Sequence, residues 1–187
     1  MTRGEEKFLV EQAQKNPLQF DALYRIFVDE IYRFIFFKTS SKEVAEDLTS
    51  QVFMQALEHI STFRYRLGAR FSSWLYSIAR NQVIDYYRKQ HQTVPLEAAE
   101  PLAQVETASR STDRAIEQEQ IQAVIKELSP ADQEILTLHL WQDKTYAEIS
   151  RITASNAVAV RARFSRAVKK FKMQYNKYYS ERYEHQT

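Results

Sequence analysis

The chain has no cysteine, two glycines (Gly4 and Gly68) and four prolines in 187 residues. Without cysteine there are no disulfides, thiolate metal sites or cysteine nucleophiles, and a reducing compartment suits such a chain. So few glycines and prolines leave little material for the tight turns of an all-β fold. Long apolar runs are missing too. The most apolar, residues 31–37, is broken by Arg33 and falls far short of the roughly 20 residues a membrane-spanning helix needs. The opening MTRGEEKFLVEQAQKN is too polar for the core of a signal peptide. His59, His91, His139 and His185 are scattered without metal spacing, and neither a glycine-rich phosphate loop nor a nucleophile elbow is present. These absences predict a cytoplasmic, all-α protein that is not an enzyme, does not insert in a membrane and carries no cofactor.

What is present is helical. Asn16-Pro17 is a helix start, since Asn caps and Pro tolerates the first helical position. Phe20, Leu23, Phe27, Ile31, Phe34 and Ile35 then step by threes and fours along one core-facing stripe. Ser40 with Glu43 is a capping-box signal for a second helix, whose stripe is Val44, Leu48, Val52, Ala56 and Ile60, with Phe53 and Leu57 beside it. Gly68 marks a loop over 65–70, and a third helix from Phe71 to about Gln90 buries Phe71, Trp74, Leu75, Ile78 and Ala79. Residues 92–113 hold Pro95, Pro101 and no sustained apolar period, which predicts a linker. Helical signals resume near Arg114, with Ile116, Ile121, Val124, Ile125 and Leu128 facing inward. Ser129-Pro130 opens a helix to about Trp141, Thr145 and Glu148 make a second capping box, and Asn156 caps a last helix reaching at least Lys172. The expected architecture is two small helical domains, 1–91 and 114–187, joined by a flexible linker, 92–113.

Charge is segregated along this frame. Residues 1–62 carry seven basic and ten acidic side chains, 63–91 six and one, 92–150 four and eleven, and 151–187 nine and two. The net +2 therefore hides two compact basic segments, the footprint of nucleic-acid binding at two places. In the last segment a short capped helix, a four-residue turn and an Arg-rich helix form a helix-turn-helix pattern. Tyr146, Ile149 and Ile152 hold the pair together, Ala147 permits a close crossing, and Val160, Phe164, Val168 and Phe171 form the buried stripe of the second helix. That leaves Arg161, Arg163, Ser165, Arg166, Lys169 and Lys170 to meet base edges and phosphates in a major groove, with a small 157–162 turn including Ala162 allowing close approach beside Asn156. In the middle segment Tyr76, Arg80, Val83, Tyr87 and Arg88 form a second helix face, preceded by the basic loop Arg64, Tyr65, Arg66 and Arg70. Rings and guanidinium planes stack on unpaired bases while charge tracks phosphate, so this segment suits opened strands.

Taken together, these segments resemble a bacterial RNA polymerase sigma factor of the small extracytoplasmic-function (ECF) group. Ala45-Glu46-Asp47-Leu48 with Phe53 and Ala56 resembles the family's polymerase-docking helix. The run from Phe71 to Asn81, followed by Asp85 and Arg88, is similar to the helix that reads and opens the −10 element. Leu128-Ser129-Pro130, Tyr146 to Ile149 and the basic last helix are similar to the −35-reading domain. The resemblance implies an alternative sigma factor for promoter-specific transcription initiation. It implies core RNA polymerase, through its β′ clamp and β flap, promoter DNA and an anti-sigma factor as partners of a chain that is monomeric when free. Glu46, Asp47, Gln51 and Phe53 would dock on the polymerase. Three positions depart from the family pattern: Gln51 replaces an acid, Ala154 stands where the turn often has glycine, and Ala162 replaces a common serine. A stand-alone helix-turn-helix regulator is the competing reading, and it leaves the basic aromatic middle segment unexplained. The tail with Tyr175, Tyr178, Tyr179 and Tyr183 either extends the last helix or contacts a partner.

Overall fold

The computed structural model describes residues 1–65, 69–93, 121 and 123–184, with side chains except those of 91–93 and 178–184. Arg66, Gly68, Ile116, the linker from residue 94 and the side chains of Tyr178, Tyr179 and Tyr183 lie outside that description. Among the described residues there are helices and turns and no strand, and no helix is long and apolar enough to cross a membrane. The chain divides into two compact units.

The N-terminal unit holds α1 (Arg3–Lys15), α2 (Phe20–Thr39), α3 (Lys42–His59) and α4 (Phe71–Thr93). The pattern read above begins its helices at Asn16, so α1 is an addition. A capping box starts it: Thr2 Oγ1 accepts the Glu5 N–H, and Glu5 accepts the Thr2 N–H at 2.8 Å. Asn16-Pro17 opens a single 3-10 turn that runs straight into α2. All six apolar residues of the predicted α2 stripe are buried, each worth roughly 1.5–3 kcal/mol of transfer free energy. The cap of α3 is Ser41, one residue later than expected, with its Oγ accepting from the Val44 N–H. The reason is that Ser40 is already used: it closes α2 in the left-handed region at φ 53°, its N–H donating to Phe36 O. Helices α2, α3 and α4 pack on one another pairwise, and α1 lies against α2 and the turn that ends α3.

Helix α4 buries more of its circumference than one stripe. Phe71, Leu75, Ile78 and Ala79 are in the core as expected, but so are Tyr76 and Val83, which the sequence pattern places on an outer face. Tyr76 is 0 % exposed, meets the Phe34 ring edge-on at 5.1 Å and hydrogen-bonds Glu30. Burial first, then the Glu30 charge, raises its phenol above the ordinary range. Trp74 is the converse: expected in the core, it is half-buried at its border, leaning on Phe63 and Phe71.

The C-terminal unit contains a helical turn at 123–126, then α5 (Pro130–Leu136), α6 (Tyr146–Ile152) and α7 (Ala157–Glu184). Ser129 caps α5 with Pro130 in the first turn. A π-helical turn, Thr137–Trp141, continues α5; it buries Thr137 and Leu138 and turns Leu140 and Trp141 outward. The Thr145–Glu148 capping box is present, and Asn156 Oδ1 accepts from the Val158 and Ala159 N–H groups at the start of α7. The core joins Leu128, Leu136 and Ala167 to Phe164, Val168 and Phe171. His139 stacks on Tyr146 at 4.6 Å and meets Phe164 edge-on at 4.6 Å. Its Nδ1 lies 2.8 Å from Lys144 O, which can only accept, so the δ nitrogen carries the proton. Ala147, expected at a helix crossing, is exposed.

The turn between α6 and α7 is a Schellman motif. Ser155 N–H donates to Ser150 O at 2.8 Å and Ala154 N–H to Arg151 O at 3.3 Å. Ala154 sits at φ 51°, the left-handed position where a Cβ is penalised and glycine is usual. The turn keeps its form at the expense of backbone strain.

Two substitutions test this packing. Tyr76→Ala should cost about 3–5 kcal/mol in urea unfolding, as loss of a large buried ring does, whereas a surface residue would change stability by about 0.5 kcal/mol or less. Ala154→Gly should raise stability by about 0.5–1 kcal/mol, read as a higher urea midpoint at unchanged slope.

Candidate nucleic-acid and partner interfaces

The outer side of α3 carries Glu43, Glu46, Asp47, Ser50, Gln51, Met54 and Glu58, all exposed. Asp47, Gln51, Met54 and Glu58 are spaced by four, three and four, so they form one line along the helix. Met54 is 64 % exposed at the centre of this polar ridge; its offset of seven from Asp47 was the signal available for it. Phe53 does not belong to the ridge. It is 4 % exposed and packs edge-on against Phe20 and Tyr24, because it is turned toward α2.

The second candidate surface is built around the start of α4. Arg64 is exposed, with its guanidinium folded onto Ser61 O and Phe63 O at 2.6 and 2.9 Å. The Tyr65 ring meets Phe63 edge-on, and its hydroxyl donates to Glu6 at 3.3 Å. Burial, and then the Glu6 charge, keeps that phenol protonated well above the ordinary range. Arg70 is half-buried at the mouth of the helix. From there the solvent-facing line of α4 runs Trp74, Ser77, Asn81, Ile84 and Arg88, at helical offsets of three and four. Arg88 pairs with Asp85 at 3.0 Å, and Arg80 is half-buried beside this line. Tyr87 is drawn inward: its hydroxyl donates to Lys38 O at 2.7 Å, and burial raises its phenol. Of the three predicted stacking tyrosines, Tyr76 is core and Tyr65 and Tyr87 spend their hydroxyls on the fold. Trp74 is the half-buried ring at the start of the solvent-facing line.

The third surface lies on α7. Val160 and Ala167 are buried, Phe164, Val168 and Phe171 are half-buried, and Arg161, Ala162, Arg163, Ser165, Arg166, Lys169 and Lys170 are all exposed. Opposite the buried stripe, helical spacing places Val158, Ala162, Arg166, Lys169 and Met173. Arg161 and Ser165 flank one side, and Arg163 and Lys170 the side toward α5. Lys170 is already committed: its Nζ lies 2.7 Å from Asp132 Oδ2, a carboxylate buried near the α5 N-terminus. Burial pushes the Asp132 carboxyl up. Hydrogen bonds from Lys170 and Ser129, with the charges of Lys170 and Arg163, outweigh that and hold it below its ordinary value.

The sign of that shift sets a pH dependence. A depressed carboxyl adds stability above its unfolded pKa of about 3.9, and loses it as pH falls through the lower folded value. At neutral pH, Asp132→Asn should destabilise the C-terminal unit by about 1–2 kcal/mol, discounted for the half-exposed lysine. The gap to the parent protein should close below about pH 4, followed by denaturant unfolding across pH.

Residues 23–93 match the family model of sigma-70 region 2, and residues 118–171 that of sigma-70 region 4. The chain is 34% identical to the ECF RNA polymerase sigma factor BldN of Streptomyces coelicolor over 86% of its own length, and it spans 62% of BldN. It is 29% identical to the ECF sigma factor SigM of Bacillus subtilis over 84% of its length and 95% of that protein. Its fold is similar to that of the sigma factor RpoE from Bartonella quintana, solved in complex with the anti-sigma factor NepR. The TM-score is 0.64 at 19% identity, over 83% of this chain and 95% of that one. Two family models matched in order along an all-helical chain, together with these relatives, place it plainly: the chain belongs to the extracytoplasmic-function group of RNA polymerase sigma factors.

Proposed function

We propose that this chain binds core RNA polymerase and directs promoter-specific transcription initiation, reading a −35 element as duplex and a −10 element as opened strand. The observation that carries this reading is the pair of basic surfaces of different chemistry. One is a bare Arg/Lys face on the second helix of a helix-turn-helix. The other is an Arg-flanked loop mouth with a half-exposed indole. A duplex groove needs charge and donors with no bulky ring in the way, and Ala162 at the centre of the α7 face leaves room for the backbone. An unpaired base needs a flat apolar partner, and Trp74 offers one, worth about 1–3 kcal/mol per stacked base. Such contacts offset the few kcal/mol lost when a base leaves its stack.

The polar ridge of α3, with Glu46, Asp47, Gln51 and Met54, would dock on the β′ clamp, and the C-terminal unit on the β flap. An anti-sigma factor is the third partner, a reading supported by the complex in which RpoE was solved. In the free protein the two basic faces act separately. Tight promoter binding therefore requires the polymerase to hold both domains in register; α4 takes up residues 92 and 93 of the expected linker, and the 20 residues 94–113 can reach about 70 Å fully extended.

Run-off transcription with purified core polymerase, on DNA upstream of this protein's own gene, should give a discrete transcript that core polymerase alone does not produce. No transcript at permissive salt, with a specific footprint by the protein alone at a palindromic site, would overturn the reading in favour of a stand-alone regulator. Arg161→Ala or Arg166→Ala should relax sequence preference in the −35 element by about 1–3 kcal/mol at one base pair. Lys169→Ala should weaken binding on all sequences and flatten the salt slope by about one. Equal losses on every sequence for all three would remove the base-reading role. Asp47→Ala should weaken core binding with the fold intact, measured by competition for core polymerase.

A further inference from the structure

Glu6 is 2 % exposed, a depth at which carboxylates are rare and need partners. Its Oε1 accepts the Phe71 N–H at 2.7 Å and the Tyr65 hydroxyl at 3.3 Å. Phe71 is the first residue of α4, so a buried anion from α1 sits on the N-terminus of the helix below Trp74. Unpaired N–H groups and the helix dipole favour negative charge there. Tyr65 and Phe71 lie on either side of residues 66–70, so one oxygen atom holds both flanking positions. Eight residues further along α1, about 12 Å of helix, Gln14 Nε2 donates to Ile60 O at 2.9 Å and to Phe63 O at 2.8 Å. Between the two polar groups Val10 and Ala13 are buried. A single helix thus fastens four points of the segment 60–71 through two side chains, and α1 precedes the residues matched by the region 2 model.

We infer that Glu6 and Gln14 are positioning residues for the opened-strand site: α1 holds Tyr65, Phe71 and the Phe63–Trp74 contact in the geometry that selects a base. This rests on the reading of that surface as the opened-strand site. Neither side chain lies on the exposed line of α4, so neither touches the strand. Their effect is preorganisation. Flanking residues that are already fastened lose less freedom when a base enters, and more of the contact energy is left to distinguish one base from another. Burial, and then the Glu6 charge, hold the Tyr65 phenol well above its ordinary range, so Tyr65 stays a neutral donor.

The test uses holoenzyme reconstituted from the full chain and core polymerase, on the promoter found by run-off transcription. The promoter is pre-opened by mismatches across the −10 element, with each unpaired base either kept or replaced. Core affinity, thermal melting and permanganate reactivity of the opened strand are read for Glu6→Gln and Gln14→Ala. Both variants should fold and bind core polymerase like the parent, while the preference for the original base falls from about tenfold to about twofold. A purely structural role would lower the melting temperature and leave that preference unchanged. Preference kept in both variants but lost in Arg70→Ala overturns the positioning role and leaves the opened-strand site standing. Preference kept in Arg64→Ala and Arg70→Ala as well overturns the opened-strand reading itself. Should Glu6→Gln fail to fold, Tyr65→Phe, which removes one hydroxyl from the same oxygen, decides in its place.

Discussion

The N-terminal unit turns on a carboxylate buried at a helix start. Helix α4 must begin abruptly after a loop, and its first N–H groups face the interior rather than water. Local capping by a side chain of the loop would solve this with no tertiary consequence. Glu6 solves it from 65 residues away, so the start of α4, the end of the loop and the position of α1 become one event. The aromatic contacts among Phe63, Tyr65, Phe71 and Trp74 pack around the two residues that this carboxylate holds. A buried ionised group without its partners would be far more costly than the loss of any one ring contact.

Much of the rest was legible locally. The α2 stripe steps by threes and fours with large apolar residues at every step, and all six are buried. The caps at Ser129, Thr145 and Asn156 each act within three residues of themselves, so no tertiary knowledge is needed to see them. What failed depended on neighbours distant in sequence. Helix α4 is enclosed by α2 and α3 and by the turn after α3, so it has no single apolar stripe and Tyr76 and Trp74 exchange their expected places. Phe53 looked like part of a docking motif because it follows one in sequence; the ring is turned the other way by α2. Helix α1 was invisible as a core element because its inward positions are Glu6, Val10 and Ala13, one charged and one small.

The C-terminal unit handles charge differently. Its basic helix is not uniformly available: Lys170 is withdrawn to Asp132, and the charge of Arg163 acts on the same carboxylate. Among the described residues, Arg166 and Lys169, opposite the buried stripe, make no such ion pair. One acid under the helix therefore sorts a run of similar residues into structural and outward-facing ones. Sequence composition does not disclose this, since the partner lies 38 positions away.

The charge pattern has a further consequence at the scale of diffusion. With a net charge of only +2, the chain has almost no monopole, and the fields of its basic and acidic blocks cancel at a distance. What remains falls off faster than the field of a simple cation and is cut off within a Debye length of about 8 Å at physiological salt. Such a charge distribution would hold a free chain on non-specific DNA more weakly than a uniformly basic protein of the same size. Attraction sets in only once a basic face is already within a few ångströms of a phosphate, so the search for a partner can finish before the search for a sequence begins.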